Sequence, residues 1–292
     1  MNIQSKLRLQ YVAAALALIA CLPFFKALAR VSTTHPYAGH VVFVPVLGGA
    51  LLWFERQRLR DLRGRGNLGG IAVVTLALVL LGIGYGAESV PLQALSCVVT
   101  LAGLGYWRYG ADGIRSAGFT LAFLLLMVPP PRQAISALSP GIQQFVAAFS
   151  SVFIESFGIP VEQQGVFLLL PGLTLEVAEE CSGLRFLLIL LVFVTAFARA
   201  VLPTTSSRLT LVAMSIPVAV LANAFRVAVT SAGAHAIGPH VIAGPLHYYI
   251  GKAFWALALA AMIGIAWGLR AETGSVVADG RRRRGATTAD AR

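Results

Sequence analysis

An all-α, polytopic membrane bundle is the fold class that this sequence predicts, and three observations carry it. Of 292 residues, 57% are hydrophobic and 12% are charged, about half the charged share of an average soluble domain. The mean hydropathy is +0.78. Apolar runs near the ~20 residues needed to cross hydrocarbon recur along the chain. A chain of this composition cannot cover a soluble surface of ordinary polarity. That excludes a disordered chain, a soluble enzyme and a disulfide-rich secreted domain.

About eight spans satisfy the length rule. The first, near 9–29, follows Lys6 and Arg8. No convincing small-residue cleavage site comes after it, so it reads as a retained span and not as a signal peptide. The second, near 38–54, runs into Arg56, Arg58, Arg60, Arg63 and Arg65. The third lies near 67–86. The fourth, near 90–107, stops at Arg108, and the fifth, near 116–130, begins after Arg115. The sixth, seventh and eighth lie near 183–200, 209–229 and 250–269. Between the fifth and sixth, 132–158 holds Gln133, Gln143, Gln144 and Glu155 and is interrupted by Pro140. It is expected as an amphipathic or re-entrant helix at the interface, with a ninth span as the competing reading. Residues 1–270 then form a single transmembrane domain, and 271–292 a basic, disordered cytoplasmic tail.

The basic residues set the orientation. With both termini in the cytoplasm, 17 of the 23 lysines and arginines fall on cytoplasmic segments, as the positive-inside rule requires. The net charge of +11 therefore points to loops at a bilayer surface and not to nucleic acid. The external segments include 131–182 and 230–249, where Glu155, Glu162, Glu176, Glu179 and Glu180 and the histidines His235, His240 and His247 collect.

Chemistry-bearing residues gather on that face. The three cysteines, Cys21, Cys97 and Cys181, are too few and too far apart for a disulfide framework or a zinc site. Cys181 differs from the others in standing at the mouth of the sixth span. A helix N-terminus there favours a thiolate, the competent nucleophile toward a carbonyl. The bland alternative is a small apolar residue in an interface. Arg226, near the external end of the seventh span, is costly in an apolar run and requires a partner or a wet cavity, unless it snorkels to the headgroups. Asn223 lies three residues earlier on the same helical face. His247 opens the eighth span and can shuttle a proton near neutral pH, or serve as an interfacial residue beside Tyr248 and Tyr249. The topology thus brings a thiol, an imidazole and a cation to one depth, a sufficient set for acyl transfer. Arg226 could hold the thiolate, the oxyanion or a substrate carboxylate.

The run Glu180-Cys181-Ser182-Gly183-Leu184-Arg185, the run Asn223-Ala224-Phe225-Arg226, and His247 followed by Gly251 and Phe254 together resemble the exosortase/archaeosortase family. The resemblance covers about 30–270. It implies a membrane cysteine transpeptidase or protease of the bacterial inner membrane, with its site on the external face. By that resemblance Cys181, Arg226 and His247 are the catalytic residues, and Glu180, Ser182, Gly183 and Asn223 support them. It implies as partners exported proteins with a C-terminal sorting motif such as Pro-Glu-Pro, a transmembrane helix and a basic tail, in a setting of exopolysaccharide production. Tyr248 stands where many members carry an acid, so the next residue offers His247 no carboxylate. The competing reading is a non-catalytic transport or assembly component of exopolysaccharide export, with Arg226 and the histidines lining a solute path. No cofactor or metal is expected, since the histidines show no H-E-x-x-H pairing.

Overall fold

The computed structural model describes residue 12 and residues 14–62 and 67–289, with backbone alone at 243 and 272–289. The expectations placed on Lys6, Arg8, Arg63, Arg65 and the side chains of the basic tail lie outside the described residues. The described residues are 80% helical, and seven of the described helices are long and apolar enough to cross a membrane. It is a polytopic helical membrane bundle, as composition and run length predict. The chain forms two compact units that meet in sequence at Pro130 and Pro131.

In the first unit, the initial span is Ala14–Thr34, a helix with a turn at Cys21 that continues as α1 (Leu22–Thr34). Then come α2 (Phe43–Asp61), α3 (Gly69–Gly86) and α4 (Val90–Leu124). The sequence places a second span near 38–54. The helix found there is shifted toward the arginine cluster, and it is not among the seven apolar enough to span. Its second half carries Glu55, Arg56, Arg58, Arg60 and Asp61. Glu55 is nonetheless buried and accepts a 3.0 Å hydrogen bond from Thr120 Oγ1, the partner that a carboxylate inside an apolar bundle needs.

The expected fourth and fifth spans are the two arms of α4. Gly110, at φ 68° and ψ −162°, breaks the helix between them. Ile114 Cδ1 lies 3.4 Å from where a Cβ on Gly105 would sit. Nine residues of straight helix would separate them by about 13 Å, so the chain doubles back at this glycine. Arg108 and Arg115 flank the bend, as the break in hydropathy suggests. The first arm packs on α3 at glycine-width spacing: a Cβ on Gly103 would lie 2.9 Å from the Val74 backbone nitrogen, and one on Gly70 would strike the backbone of Trp107. Close backbone approach is how helices gain contact where lipid removes the hydrophobic drive. Cys21 and Cys97 are both buried free thiols joined by a hydrogen bond.

The second unit opens with α5 (Arg132–Glu155). The segment expected as an interfacial or re-entrant helix is one continuous 24-residue helix, long and apolar enough to cross by length and composition. Its buried stripe of Ile135, Ser139, Val146, Ala147, Ser150 and Ile154 keeps the amphipathic pattern. A three-stranded antiparallel sheet follows, with β1 (Glu162–Gln164), β2 (Phe167–Leu170) and β3 (Leu173–Glu176) in the order β1-β2-β3. Gly165 and Gly172 turn its two hairpins at φ +62° and +75°, a region open to glycine. Then come α6 (Leu184–Val201), α7 (Thr205–Ile237), the short α8 (His240–Ala243) and α9 (Pro245–Ala289). The long α7 is the hub, with α5, α6 and α9 packed along it. One apolar cluster joins α5 and the sheet to Ala224 and Ala228 of α7. The other joins α6, α7 and α9 through Leu190, Val194, Leu211 and Met262.

The glycine spacing yields the first prediction. Gly103→Leu should destabilise the first unit by about 1–3 kcal/mol, the cost of overpacking. Gly82→Leu, where a Cβ would meet nothing within 4 Å, should be neutral. Thermal unfolding of the two variants in detergent checks this.

Candidate active site

The strand β3 leads into the cysteine. Val177 extends the ladder, its N–H donating to Val166 C=O at 2.9 Å, and its own C=O accepts from Gln143 Nε2 of α5 at 2.8 Å. A single 3₁₀ turn, Glu179–Cys181, follows. Gly183 then caps α6 in the left-handed conformation, φ +91°, and its C=O accepts the first helical bond from Leu187 N–H at 2.8 Å. Cys181 is thus held on a tight turn just before a helix, half-buried.

Two features explain the residues beside it. Asn223 of α7 is buried and donates from Nδ2 to Cys181 C=O at 2.8 Å. A Cβ on Gly183 would sit 2.9 Å from the same side-chain amide. Position 183 therefore excludes a side chain twice, by its backbone conformation and by the space that Asn223 occupies. Ser182 is fully buried, and its Oγ accepts from Leu184 N–H at 3.3 Å, which satisfies one unpaired donor at the start of α6.

Arg226 stands on the same face of α7 as Asn223, three residues on. Its guanidinium lies over α9 at Gly251, with Nη1 3.8 Å from where a Cβ would be. His247 is one turn before Gly251 on α9, close enough to feel the guanidinium charge. Cys181, Arg226 and His247 line one cavity of about 60 Å³, whose wall also includes Leu175, Glu176 and Thr230. Arg226 Nε and His247 Nδ1 are buried without a hydrogen-bond partner among the described residues. Such groups cost roughly 1–3 kcal/mol each, and both belong to residues that line the cavity.

The structure brings together three of the expected residues in the cavity and sets Asn223, Ser182 and Gly183 around the cysteine. Glu180 is exposed and does not line the cavity; Glu176, from β3, does. Thr230 is not singled out in the sequence, and Gln143 reads only as a polar residue of the 132–158 segment. Thr230 lies four residues after Arg226, so helical spacing from the arginine marks it. Gln143 comes from a separate helix, and no local pattern links it to Cys181. His235 and His240 do not line the cavity. Among the described residues no three His, Cys, Asp or Glu side chains converge as a metal site would require.

The arrangement coincides with a family match. Residues 8–264 match the transmembrane exosortases. The chain belongs to that family. No curated protein and no solved structure matches it. The match spans both units of this exosortase, and the cavity of Cys181, Arg226 and His247 falls inside it.

The cap geometry makes a prediction. Gly183→Ala should destabilise the second unit by about 1–3 kcal/mol through strained backbone and the clash with Asn223, whereas Cys181→Ala should leave the unfolding temperature unchanged. Thermal unfolding of the purified variants reads both.

Proposed function

We propose that this exosortase is a cysteine peptidase and transpeptidase of the inner membrane, acting on exported proteins through C-terminal sorting signals. The observation that carries this reading is the meeting of Cys181, Arg226 and His247 on one cavity. The external face is the side for this site. Arg199 ends α6 and Arg208 begins α7, at the opposite end of α6 from Cys181, and the positive-inside rule puts that end in the cytoplasm.

In the reaction, His247 takes the thiol proton and Sγ of Cys181 attacks the scissile carbonyl carbon. The oxyanion forms in the cavity, where the guanidinium of Arg226 stabilises it. The C–N bond then breaks. The leaving amine, which carries the membrane helix and basic tail of the substrate, takes the proton from His247. The exported protein remains as a thioester on Cys181. An amine or other external nucleophile gives its proton to His247 and attacks the thioester, and the thiol is restored with that proton. Asn223 holds the backbone of Cys181 in register with Arg226 throughout.

The test is processing, in cells, of an exported protein with a C-terminal motif, transmembrane helix and basic tail. Cys181→Ala should abolish processing while the protein still accumulates in the membrane. His247→Ala should slow it by about 10²–10⁴-fold, the range for lost acid–base catalysis. Arg226→Ala should slow it by about 10²–10³-fold, as removal of an oxyanion donor does. With the acceptor limiting, a hydroxylamine-sensitive adduct on Cys181 should accumulate. Processing that survives Cys181→Ala but not Arg226→Ala would overturn the reading and favour transport.

A further inference from the structure

A strand edge opens onto the cavity. β3 is at one side of the sheet, paired to β2 and to nothing else among the described residues. Its phase follows from the register. Leu168 faces Leu175 and Leu170 faces Leu173, and Val177 N–H bonds Val166 C=O. In an antiparallel ladder, paired residues alternate between hydrogen-bonded and non-bonded. Residues 173, 175 and 177 therefore turn their backbone groups toward β2. Thr174 and Glu176 turn theirs outward.

Those outward groups are two N–H donors and two C=O acceptors, and both residues are exposed. An unpaired edge of this kind is a template for another strand, and most proteins cover or blunt it. The apolar side of β3, Leu173 and Leu175, packs on the core below, so the strand is anchored while its edge stays open. The edge reaches the cavity at Glu176, which lines it together with Cys181, while Leu168, Leu175 and Val177 line it from the core face of the sheet. At Val177 the strand ends, its N–H bonded to Val166 and its C=O to Gln143, so Glu176 is the last residue of β3 with outward groups. A chain laid along the free groups therefore arrives at the thiol.

We propose that the exosortase binds its substrate as an added strand: an extended peptide pairs its backbone with Thr174 and Glu176 of β3, which delivers the scissile carbonyl to Cys181. The inference rests on the peptidase reading above and names how that site holds its substrate. Backbone pairing gives affinity without reading side chains. It carries a built-in tolerance, since an added edge strand bonds β3 through alternate residues only. A proline is admitted at the intervening positions, where its missing N–H faces solvent, and rejected at the bonded ones.

The test uses the full chain in detergent with Cys21 and Cys97 replaced by Ser. Three reagents alkylate Cys181: iodoacetamide, which has no backbone to pair, a pool of tetrapeptidyl chloromethyl ketones, and the single-residue analogue of that pool. The tetrapeptidyl pool should react at least tenfold faster than the single-residue reagent. Glu176→Pro, which removes one outward N–H and spares the ladder, should erase that advantage, read as the ratio of the tetrapeptidyl rate to the iodoacetamide rate in the same variant. Gln163→Pro, on the far edge in β1, should change neither rate. Methylation of the peptide nitrogen at alternate residues should remove the advantage, and at intervening residues should not. Equal rates for the pool and its single-residue analogue in the unsubstituted chain would overturn the added strand. So would a Glu176→Pro variant that slows iodoacetamide equally, since β3 would then only position Cys181. Neither result touches the peptidase reading, which falls instead if processing survives Cys181→Ala.

Discussion

A hydrogen bond of 2.8 Å, from Asn223 Nδ2 to the carbonyl of Cys181, couples the two parts of the site that the chain builds separately. Cys181 belongs to a turn fed by a strand; Arg226 belongs to a long helix. Asn223 and Arg226 share one face of α7, so fixing the cysteine backbone to the first places it relative to the second. The bond has strict requirements. Asn223 is buried, and an amide there without a partner would be costly. Gly183 must lack a side chain to let the amide in, and the left-handed backbone of the same glycine starts α6. The Cys-Ser-Gly run is thus a mechanical unit: a half-buried thiol, a buried hydroxyl that caps the next helix, and a residue without a Cβ.

The surroundings spend stability to keep the cavity polar. Arg226 Nε and His247 Nδ1 are buried and unpaired among the described residues, and both residues line the cavity that includes Cys181. Residues that violate local rules in this way concentrate where function requires them. The rest of the second unit compensates. Tight apolar clusters on either side of α7 hold α5, the sheet, α6 and α9 in place, and aromatic edges from Phe149 and Phe153 close on Phe225, the residue before Arg226. A rigid hub with an unsatisfied cavity at one end fits a preorganised electrostatic site.

Much of this was legible in the sequence, for physical reasons that differ by region. Hydrocarbon forces long apolar helices, so composition and run length announce the bundle without any tertiary knowledge. The site residues are legible because polar groups in apolar runs are expensive, which makes Arg226 and Asn223 conspicuous. The sheet at 162–176 is harder to see. Its strands are three or four residues long, and Phe167 to Leu170 read as a short apolar run, where periodicity does not separate strand from helix. The better signal was in the turns, Gly165 and the Pro171-Gly172 pair, the latter suited to a turn with positive φ at its second central residue. Boundaries failed where charge and helix disagree. At α2 the helix continues through Arg56, Arg58 and Arg60 because arginine is a good helix former, and hydropathy alone stops too early. At Gly110 the break in hydropathy was right, but the sharpness of the bend depends on a backbone conformation that only glycine adopts readily.

The central claim is that Cys181, Arg226 and His247 act as one externally facing nucleophilic site. The most direct measurement is the rate at which a membrane-impermeant thiol reagent labels Cys181 in intact cells, in a chain without Cys21 and Cys97. Labelling from outside is expected, slowed at least tenfold by His247→Ala and by Arg226→Ala. Labelling from the cytoplasmic side alone, or an external rate indifferent to both substitutions, would contradict it.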